Sequence, residues 1–432
     1  MHPAISIIIT LACLGVIILI SAWGVKTKKL SGELARKVVH VGMGLICMSF
    51  PWLFNSVLAV QLLAAFAIIT LLAIRITKLR KSIGTALFSI ERLSIGELLF
   101  PLAVAWLFTL GSEQPILYCI SLLLLTLADT AGALAGSKFG KATYQTTAAT
   151  KSCEGSIAFL ITAFLCTSLP LYFFTGLSLG LILFLSLSIS LFSMAVEGAS
   201  GHGLDNLLIP IGSFLLLDYY ISLSDHLIMI RTLVLLALLS LLLLTRRMHT
   251  FDGGAILTSM LFGFAAFTLG GIPCLLAALL VFLRHVMTQK FMHEKYVITH
   301  SLNTIVAIAI PSLFWLTLGR GEVIGYTHAQ FAFISTLSLI IAMLHAGTPK
   351  HMHRDSPSLI RALLLNIVIL STVLLIDIPL VYTLPTIMIA MPAARFYFYW
   401  VETSTSHHPR NWLKLALLAI LTSAVALLPL IS

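Results

Sequence analysis

"LIMIRTLVLLALLSLLLLT" (residues 227–245) contains one charged side chain, Arg231, in a run that is otherwise almost entirely apolar. A helix needs about 20 apolar residues to cross the hydrocarbon core of a membrane. The stretch is therefore long enough and apolar enough to form a transmembrane helix. Comparable runs recur along the chain, beginning with "AISIIITLACLGVIILISAW" (4–23).

The overall composition supports the same fold class. Hydrophobic residues make up 59% of the 432 residues and charged residues only 10%, and the mean hydropathy is +1.05. A soluble domain cannot hide so much apolar surface from water, whereas a bilayer accepts it. The apolar runs predict an all-α, polytopic integral membrane protein with about 15 or 16 transmembrane helices.

The positive charges predict an orientation in the membrane. The first apolar run has no preceding charges and no A-x-A cleavage site after it, which indicates a retained helix with its N-terminus outside. With that orientation, all but Arg231 and Arg320 of the 26 Lys and Arg residues fall in cytoplasmic loops. The net charge of +10 is then explained by topology. No nucleic-acid partner is predicted, because no basic cluster carries interleaved aromatic residues.

Loop composition changes near residue 245. Earlier loops are rich in Gly, Lys, Asp and Glu, whereas those after "TRRMHTFDGG" (245–254) are rich in His and Arg and poor in acids. We therefore predict a first membrane domain over 1–245 and a second helical membrane domain over 246–432. The six cysteines show no C-x-x-C spacing, so the sequence predicts neither a disulfide framework nor a zinc site.

Five stretches with polar residues suited to catalysis fall on the predicted cytoplasmic side. They are "ELARKVVHVGMG" (33–44), "RLSIGELLFP" (92–101), "LADTAGALAGSKFGK" (127–141), "KSCEGS" (151–156) and "VEGASGHGLDNLLIP" (196–210). Convergence on one membrane face predicts a shared site. In the third stretch, we expect Asp129 to end a helix at the cytoplasmic surface.

The residue types in these stretches suit phosphoryl transfer. Four of the side chains are cations for phosphate oxygens, and three are carboxylates that can bind Mg²⁺. A phosphoryl transferase needs a metal, cations and a carboxylate that orients the attacking hydroxyl. The cations are Arg36, Lys37, Lys141 and Lys151, the carboxylates are Asp129, Glu197 and Asp205, and Gly132, Gly136 and Gly140 allow close approach of backbone or ligand.

Each feature also has a structural interpretation. Arg36 and Lys37 are compatible with simple anchoring at the membrane surface, and His40 with a packed histidine. Gly132 and Gly136 form a G-x-x-x-G pattern, which more often packs helices than binds ligands. The stretch "EGASGHG" (197–203) lacks the second glycine of a G-x-S-x-G serine nucleophile, so hydrolase chemistry is not favoured.

Together the five stretches resemble the integral-membrane, CTP-dependent lipid-alcohol kinases, a family that includes phytol kinase, dolichol kinase and the CTP-using diacylglycerol kinase. "RKVVHVGMG" (36–44) is similar to the family's R-K-x-x-H-x-G opening, and "KSCEGS" (151–156) to K-S-x-E-G-S. The resemblance covers about residues 30–215. Gly132 departs from it, because many relatives carry a bulkier residue there.

The resemblance implies roles for individual residues. It implies catalytic roles for Asp129, Lys151 and Glu97, with Asp129 acting as a metal ligand or as the base for the alcohol. The implied nucleotide- and phosphate-binding residues are Arg36, Lys37, His40, Gly136, Lys141 and Gly155. The implied Mg²⁺ ligands are Asp129, Glu197, Asp205 and Asn206.

The function expected from the resemblance is transfer of the γ-phosphoryl group of CTP to a membrane isoprenoid-type alcohol, such as phytol or a polyprenol, with Mg²⁺ as cofactor. A CTP:phosphatidate cytidylyltransferase-like enzyme and a membrane transporter are the alternatives. A transporter should carry charged residues deep in the bundle and discontinuous helices in both halves. The segment 257–290 faintly resembles phytyl-phosphate kinases, but "LIIAMLHAGTPKH" (339–351) lacks that family's acids. We therefore expect the second domain to be non-catalytic.

Overall fold

A computed structural model describes residues 3–76, 95–146, 149–290, 299–346, 367–401 and 409–431. The described residues form two compact units, Met1–Leu233 and Val234–Ser432. The division falls inside a helix, Asp225–Leu244. The predicted functional boundary near residue 245 stays a prediction.

The first unit consists of helices and one short hairpin. Its elements are α1 (Pro3–Lys26), α2 (Gly32–Met48), α3 (Phe50–Leu53), α4 (Val57–Ile76), α5 (Gly96–Gly111), α6 (Pro115–Leu123), α7 (Asp129–Phe139), β1 (Thr143–Gln145), β2 (Thr150–Ser152), α8 (Cys153–Phe174), α9 (Leu179–Ala199), α10 (Asp205–Ile221) and the first part of α11 (Asp225–Leu244). A π-helical turn, Leu124–Ala128, joins α6 to α7.

The second unit is helical in its described parts. Its elements are the rest of α11, α12 (Gly253–Lys290), α13 (Leu302–Arg320), α14 (Tyr326–Ala346), two 3₁₀ turns (Ser371–Leu375 and Leu380–Tyr382), α15 (Thr383–Val401) and α16 (Pro409–Ile431). Its core is apolar and centres on α14, where Phe331, Phe333 and Leu337 are fully buried.

Long apolar helices confirm the predicted all-α polytopic membrane fold. Within the described ranges, nine helices are long and apolar enough to cross a membrane, and 96–111 and 413–428 are shorter apolar helices. Many leucines and isoleucines on these helices are exposed in the isolated chain, as expected for surfaces that face lipid. The protein is therefore an integral membrane protein. The total number of crossings stays a prediction, because several ranges lie outside the description.

Helix α12 reverses direction within the second unit. A straight helix of its 38 residues would be about 57 Å long. Yet the rings of Phe251 and His285, which lie near its two ends, stack with centroids 4.7 Å apart. The reversal occurs at Gly271, whose φ of 71° is in the left-handed region that favours glycine. The 253–287 segment therefore contains two antiparallel arms.

The helix that carries Asp129 does not end there, which corrects our expectation. The segment Pro115–Phe139 is continuously helical, and Asp129 is followed by ten further helical residues. Asp129 therefore lies about 15 Å along the helix from Phe139. The small residues that follow Asp129 form a helix face that packs against α8.

Glycines allow α7 and α8 to approach closely. A Cβ atom added to Gly155 would lie 2.9 Å from the Gly132 carbonyl oxygen and 3.1 Å from the Gly136 Cα. Both contacts involve backbone, which cannot move aside as a side chain can. Gly132 and Gly136 therefore pack helices here, as a G-x-x-x-G pattern often does.

We expect Gly155→Ala to lower the stability of the protein by about 1–3 kcal/mol, the usual cost of overpacking. Thermal unfolding in detergent measures this as a lower Tm. Gly180→Ala is the matched control, because nothing lies within 4 Å of a Cβ added there. Equal Tm values for the two variants would show that the α7–α8 contact tolerates a methyl group.

Candidate active site

The first part of the site is a buried ion pair between α2 and α7. Lys37 Nζ donates a hydrogen bond to Asp129 Oδ2 at 2.6 Å, and the side chains are only 5% and 16% exposed. A short bond between opposite charges, shielded from water, is much stronger than a surface ion pair. Lys37 therefore favours the ionised form of Asp129 and fixes the direction in which that carboxylate points.

The second part is an ion pair between the hairpin and the end of α9. Strand β1 pairs antiparallel with β2, with Tyr144 opposite Lys151. Lys151 Nζ donates to Glu197 Oε1 at 2.7 Å and also to the main-chain carbonyl of Glu197. Burial is the largest single influence on the pKa of Lys151 and lowers it, but the charge and hydrogen bond of Glu197 together with the charge of Asp205 raise that pKa above its ordinary value. Lys151 is therefore a fixed positive charge.

Asp205 links the two pairs electrostatically. It is the first residue of α10, outside the candidate membrane spans. The pKa of Asp205 is raised to about 6, mainly by burial and also by the nearby carboxylates of Asp129 and Glu197, while Lys151 opposes the rise. Asp205 therefore interacts electrostatically with Asp129 and Glu197, each of which is paired with a lysine. A positively charged ligand at this point would stabilise the ionised form of Asp205.

Glu97 and Asn206 lie at the junction of α5 and α10. Arg75 Nη1 donates to Glu97 Oε1 at 3.2 Å, so Glu97 pairs with α4. Asn206 Nδ2 donates to the Gly96 carbonyl at 2.8 Å. The Asn206 side chain therefore holds the start of α5 in place, and its amide oxygen remains the group that suits a metal.

The remaining cations face solvent. Arg36 on α2 and Lys141 after α7 are exposed, unlike the buried Lys37. Lys141 is one residue from Ala142, whose N–H donates to Glu154 Oε1 at 3.0 Å. Exposed guanidinium and ammonium groups beside the buried pairs could meet the phosphates of a nucleotide entering from water.

The donor set fits a metal shared with a nucleotide better than a preformed metal cage. Among the described residues, no three Asp, Glu, His or Cys side chains gather closely enough to hold a metal ion by themselves. Mg²⁺ commonly binds one or two carboxylates and completes its shell with water and substrate phosphates. Asp205, whose pKa is raised by burial and neighbouring acids, is a carboxylate that such an ion would stabilise.

Sequence reasoning missed two features beside Asp129. The π-helical turn 124–128 places the Leu125 carbonyl 3.0 Å from His40 Nε2. The Thr130 hydroxyl is buried and, within the described part of the chain, has no hydrogen-bond partner. No residue pattern announces a π-turn in "LLTLA" (124–128), so the sequence held no signal for the first feature. Thr130 directly follows Ala128 and Asp129, but nothing in the sequence distinguishes it from other helical threonines.

Comparison with known proteins gives the class. A phytol kinase from Synechocystis sp. is 30% identical to this chain over 188 residues, which are 43% of this chain and 78% of the relative. No protein-family model matches the chain, and no solved structure matches it. Because the match covers more than two thirds of the relative, this membrane protein belongs to the lipid-alcohol kinase family that the phytol kinase represents.

Proposed function

We propose that this protein transfers the γ-phosphoryl group of CTP to the hydroxyl of a membrane isoprenoid-type alcohol. The observation that carries the proposal is the pair of buried ion pairs, Lys37–Asp129 and Lys151–Glu197, in a chain of the lipid-alcohol kinase family. Lysines beside carboxylates supply what phosphoryl transfer requires, since catalysis there is mainly positioning and charge stabilisation. An apolar alcohol reaches the site through the membrane, and the nucleotide reaches it from water.

Asp129 is the central group of the proposed mechanism. It either binds the metal or accepts a hydrogen bond from the attacking hydroxyl. Both roles require the ionised carboxylate, and Lys37 at 2.6 Å favours that form. Lys151, anchored by Glu197, presents its positive charge to the phosphates and stabilises the charge that develops in transfer.

Mg²⁺ is the proposed cofactor, and Asp129, Glu197, Asp205 and Asn206 are its proposed ligands. It would shield the charges of the nucleotide phosphates while the transferred group moves. Arg36 and Lys141, both exposed, together with Gly136 and Gly155, form the proposed nucleotide-binding surface. The resemblance also includes His40 in that surface, but its contact with the Leu125 carbonyl supports the different role argued below. Glu97 is proposed to act beside them at the start of α5.

The nucleotide assignment has a direct test. Purified protein in detergent is incubated with phytol and either CTP or ATP, and the CDP or ADP formed is measured. We expect turnover with CTP to exceed turnover with ATP at equal concentration. Faster turnover with ATP would be consistent with a kinase but would contradict CTP as the phosphoryl donor.

We also predict that the site faces the cytoplasm and that the N-terminus is outside. Single cysteines replacing Lys28 and Ser200, in a cysteine-free background, should resist a membrane-impermeant thiol reagent in intact cells. A cysteine at Gly176, between α8 and α9, should react as the outside control. Labelling of a cysteine at position 28 or 200 from outside would contradict the predicted orientation.

The second unit is proposed to contribute no catalytic group. Asp252 is an acid in its described part, and its Oδ1 accepts a hydrogen bond from Ala255 N–H at 2.7 Å, as a helix N-cap does. Asparagine caps helices about as well. We therefore expect Asp252→Asn to leave kcat within about threefold of wild type, because N-cap exchanges of this kind change stability little. A loss of orders of magnitude in folded protein would place part of the active site in the second unit.

A further inference from the structure

The helix that carries Asp129 contains a π-helical turn immediately before it. In an α-helix the N–H of Asp129 would bond to the carbonyl of Leu125, four residues earlier. Here it bonds instead to the carbonyl of Leu124, five residues earlier. One extra residue in a turn rotates every later side chain by about 100° around the helix axis. The π-turn therefore sets the direction in which Asp129 points.

The Leu125 carbonyl takes a different partner. His40 Nε2 lies 3.0 Å from this oxygen and 3.9 Å from Asp129 Oδ2. A carbonyl oxygen can only accept a hydrogen bond, so Nε2 must carry the proton. The His40 ring also packs edge-on against Phe100, with centroids 5.6 Å apart. Both contacts fix the ring.

One face of α2 matches this arrangement. Lys37, His40 and Gly44 occupy positions i, i+3 and i+7, which lie on the same side of a helix. Lys37 bonds to Asp129 and His40 to Leu125. A Cβ added to Gly44 would come within 1.7 Å of Thr126 Cγ2 in the π-turn. The missing side chain at Gly44 therefore lets α2 approach closely enough for the other two contacts.

We propose that His40 is a positioning residue: its Nε2–H holds the Leu125 carbonyl that the π-turn releases, and so fixes Asp129 in its direction toward Lys37 and the substrate. His40 acts through Leu125 and Asp129, and it neither binds phosphate nor exchanges a proton in the reaction. The effect on turnover rests on the proposed function. The proton on His40 Nε2 and the contact of His40 with the π-turn do not depend on the proposed function.

Two substitutions separate positioning from other roles. His40→Leu removes the donor, and kcat should fall about 10²-fold, the typical cost of a misplacement near 1 Å. The KM for CTP should change by less than about threefold, because the lost interaction does not bind nucleotide. His40→Gln supplies an amide N–H in place of Nε2–H. Its kcat should be at least about tenfold higher than that of His40→Leu.

Three results would overturn the proposal in folded protein. The first is a kcat of His40→Leu near that of wild type. The second is a kcat of His40→Gln as low as that of His40→Leu, which would show that the ring itself reacts. The third is a raised KM for CTP with unchanged kcat, which would make His40 a phosphate contact.

A spectroscopic test does not depend on kinase activity. The ¹⁵N NMR spectrum of histidine-labelled protein in detergent reports which ring nitrogen carries the proton, and the His40 signals are those absent from His40→Gln. We expect Nε2–H at neutral pH. The Nδ1–H tautomer would overturn the proposal. If no alcohol is phosphorylated but Nε2–H is found, the proposed function fails and the positioning contact stands.

Discussion

Asp129→Asn is expected to lower kcat by at least about 10²-fold, the contribution of a typical acid–base group, while the protein stays folded. Asparagine keeps the size of aspartate but removes the charge that pairs with Lys37 at 2.6 Å. Both proposed roles, metal ligand and acceptor for the alcohol proton, require that charge. Steady-state kinetics with CTP and the alcohol, together with the Tm of each variant, measure the effect.

Asp218→Asn is the matched control for this experiment. Asp218 is an exposed carboxylate on α10, where its Oδ1 accepts a hydrogen bond from Gln114 Nε2 at 2.9 Å. Its loss should leave kcat unchanged. An Asp129→Asn variant that keeps more than about a tenth of wild-type kcat, against the 10²-fold loss expected for such a group, would remove Asp129 from the mechanism.

Lys151→Ala is expected to lower kcat by about 10³-fold, as for loss of a group that stabilises transition-state charge. Lys151 is largely buried and holds both the carboxylate and the main-chain carbonyl of Glu197. Its removal takes away a fixed positive charge and leaves Glu197 unpaired. Lys29→Ala is the control, because Lys29 is exposed and lies over the Trp23 ring at 5.1 Å.

A double variant separates catalysis from stability for this pair. Glu197→Gln removes the carboxylate that Lys151→Ala leaves unpaired, so the combined variant should regain folding stability. It should remain as inactive as Lys151→Ala. Recovery of kcat together with Tm would show that the Lys151–Glu197 pair is structural only.

Composition and charge were enough to predict the fold class. The long apolar runs, such as 4–23 and 227–245, become helices long enough to cross a membrane, because a bilayer leaves the backbone few other choices. Local irregularities differ in how far the sequence indicates them. The π-turn 124–128 depends on packing against neighbouring helices and has no distinctive residue pattern. The reversal at Gly271 lies in "GGIP" (270–273), where glycines and proline are turn signals.

The candidate site shows a similar limit. The sequence pointed to Lys37, Asp129, Lys151 and Glu197 as residues of one face, and the structure pairs Lys37 with Asp129 and Lys151 with Glu197. Sequence could not choose these partners, since Lys37 and Asp129 are 92 positions apart. It also placed Asp129 at a helix end, because the apolar run there meets an acid that is followed by small residues. Here they form the surface that α8 contacts.

Product analysis tests the central claim most directly. Purified protein is incubated with Mg²⁺, CTP labelled at the γ-phosphate, and phytol, dolichol or diacylglycerol in separate reactions. The account predicts label in a lipid monophosphate, release of CDP, and loss of both in Asp129→Asn. Formation of a CDP-lipid with labelled pyrophosphate, or transfer of no label to any lipid by folded protein, would contradict it.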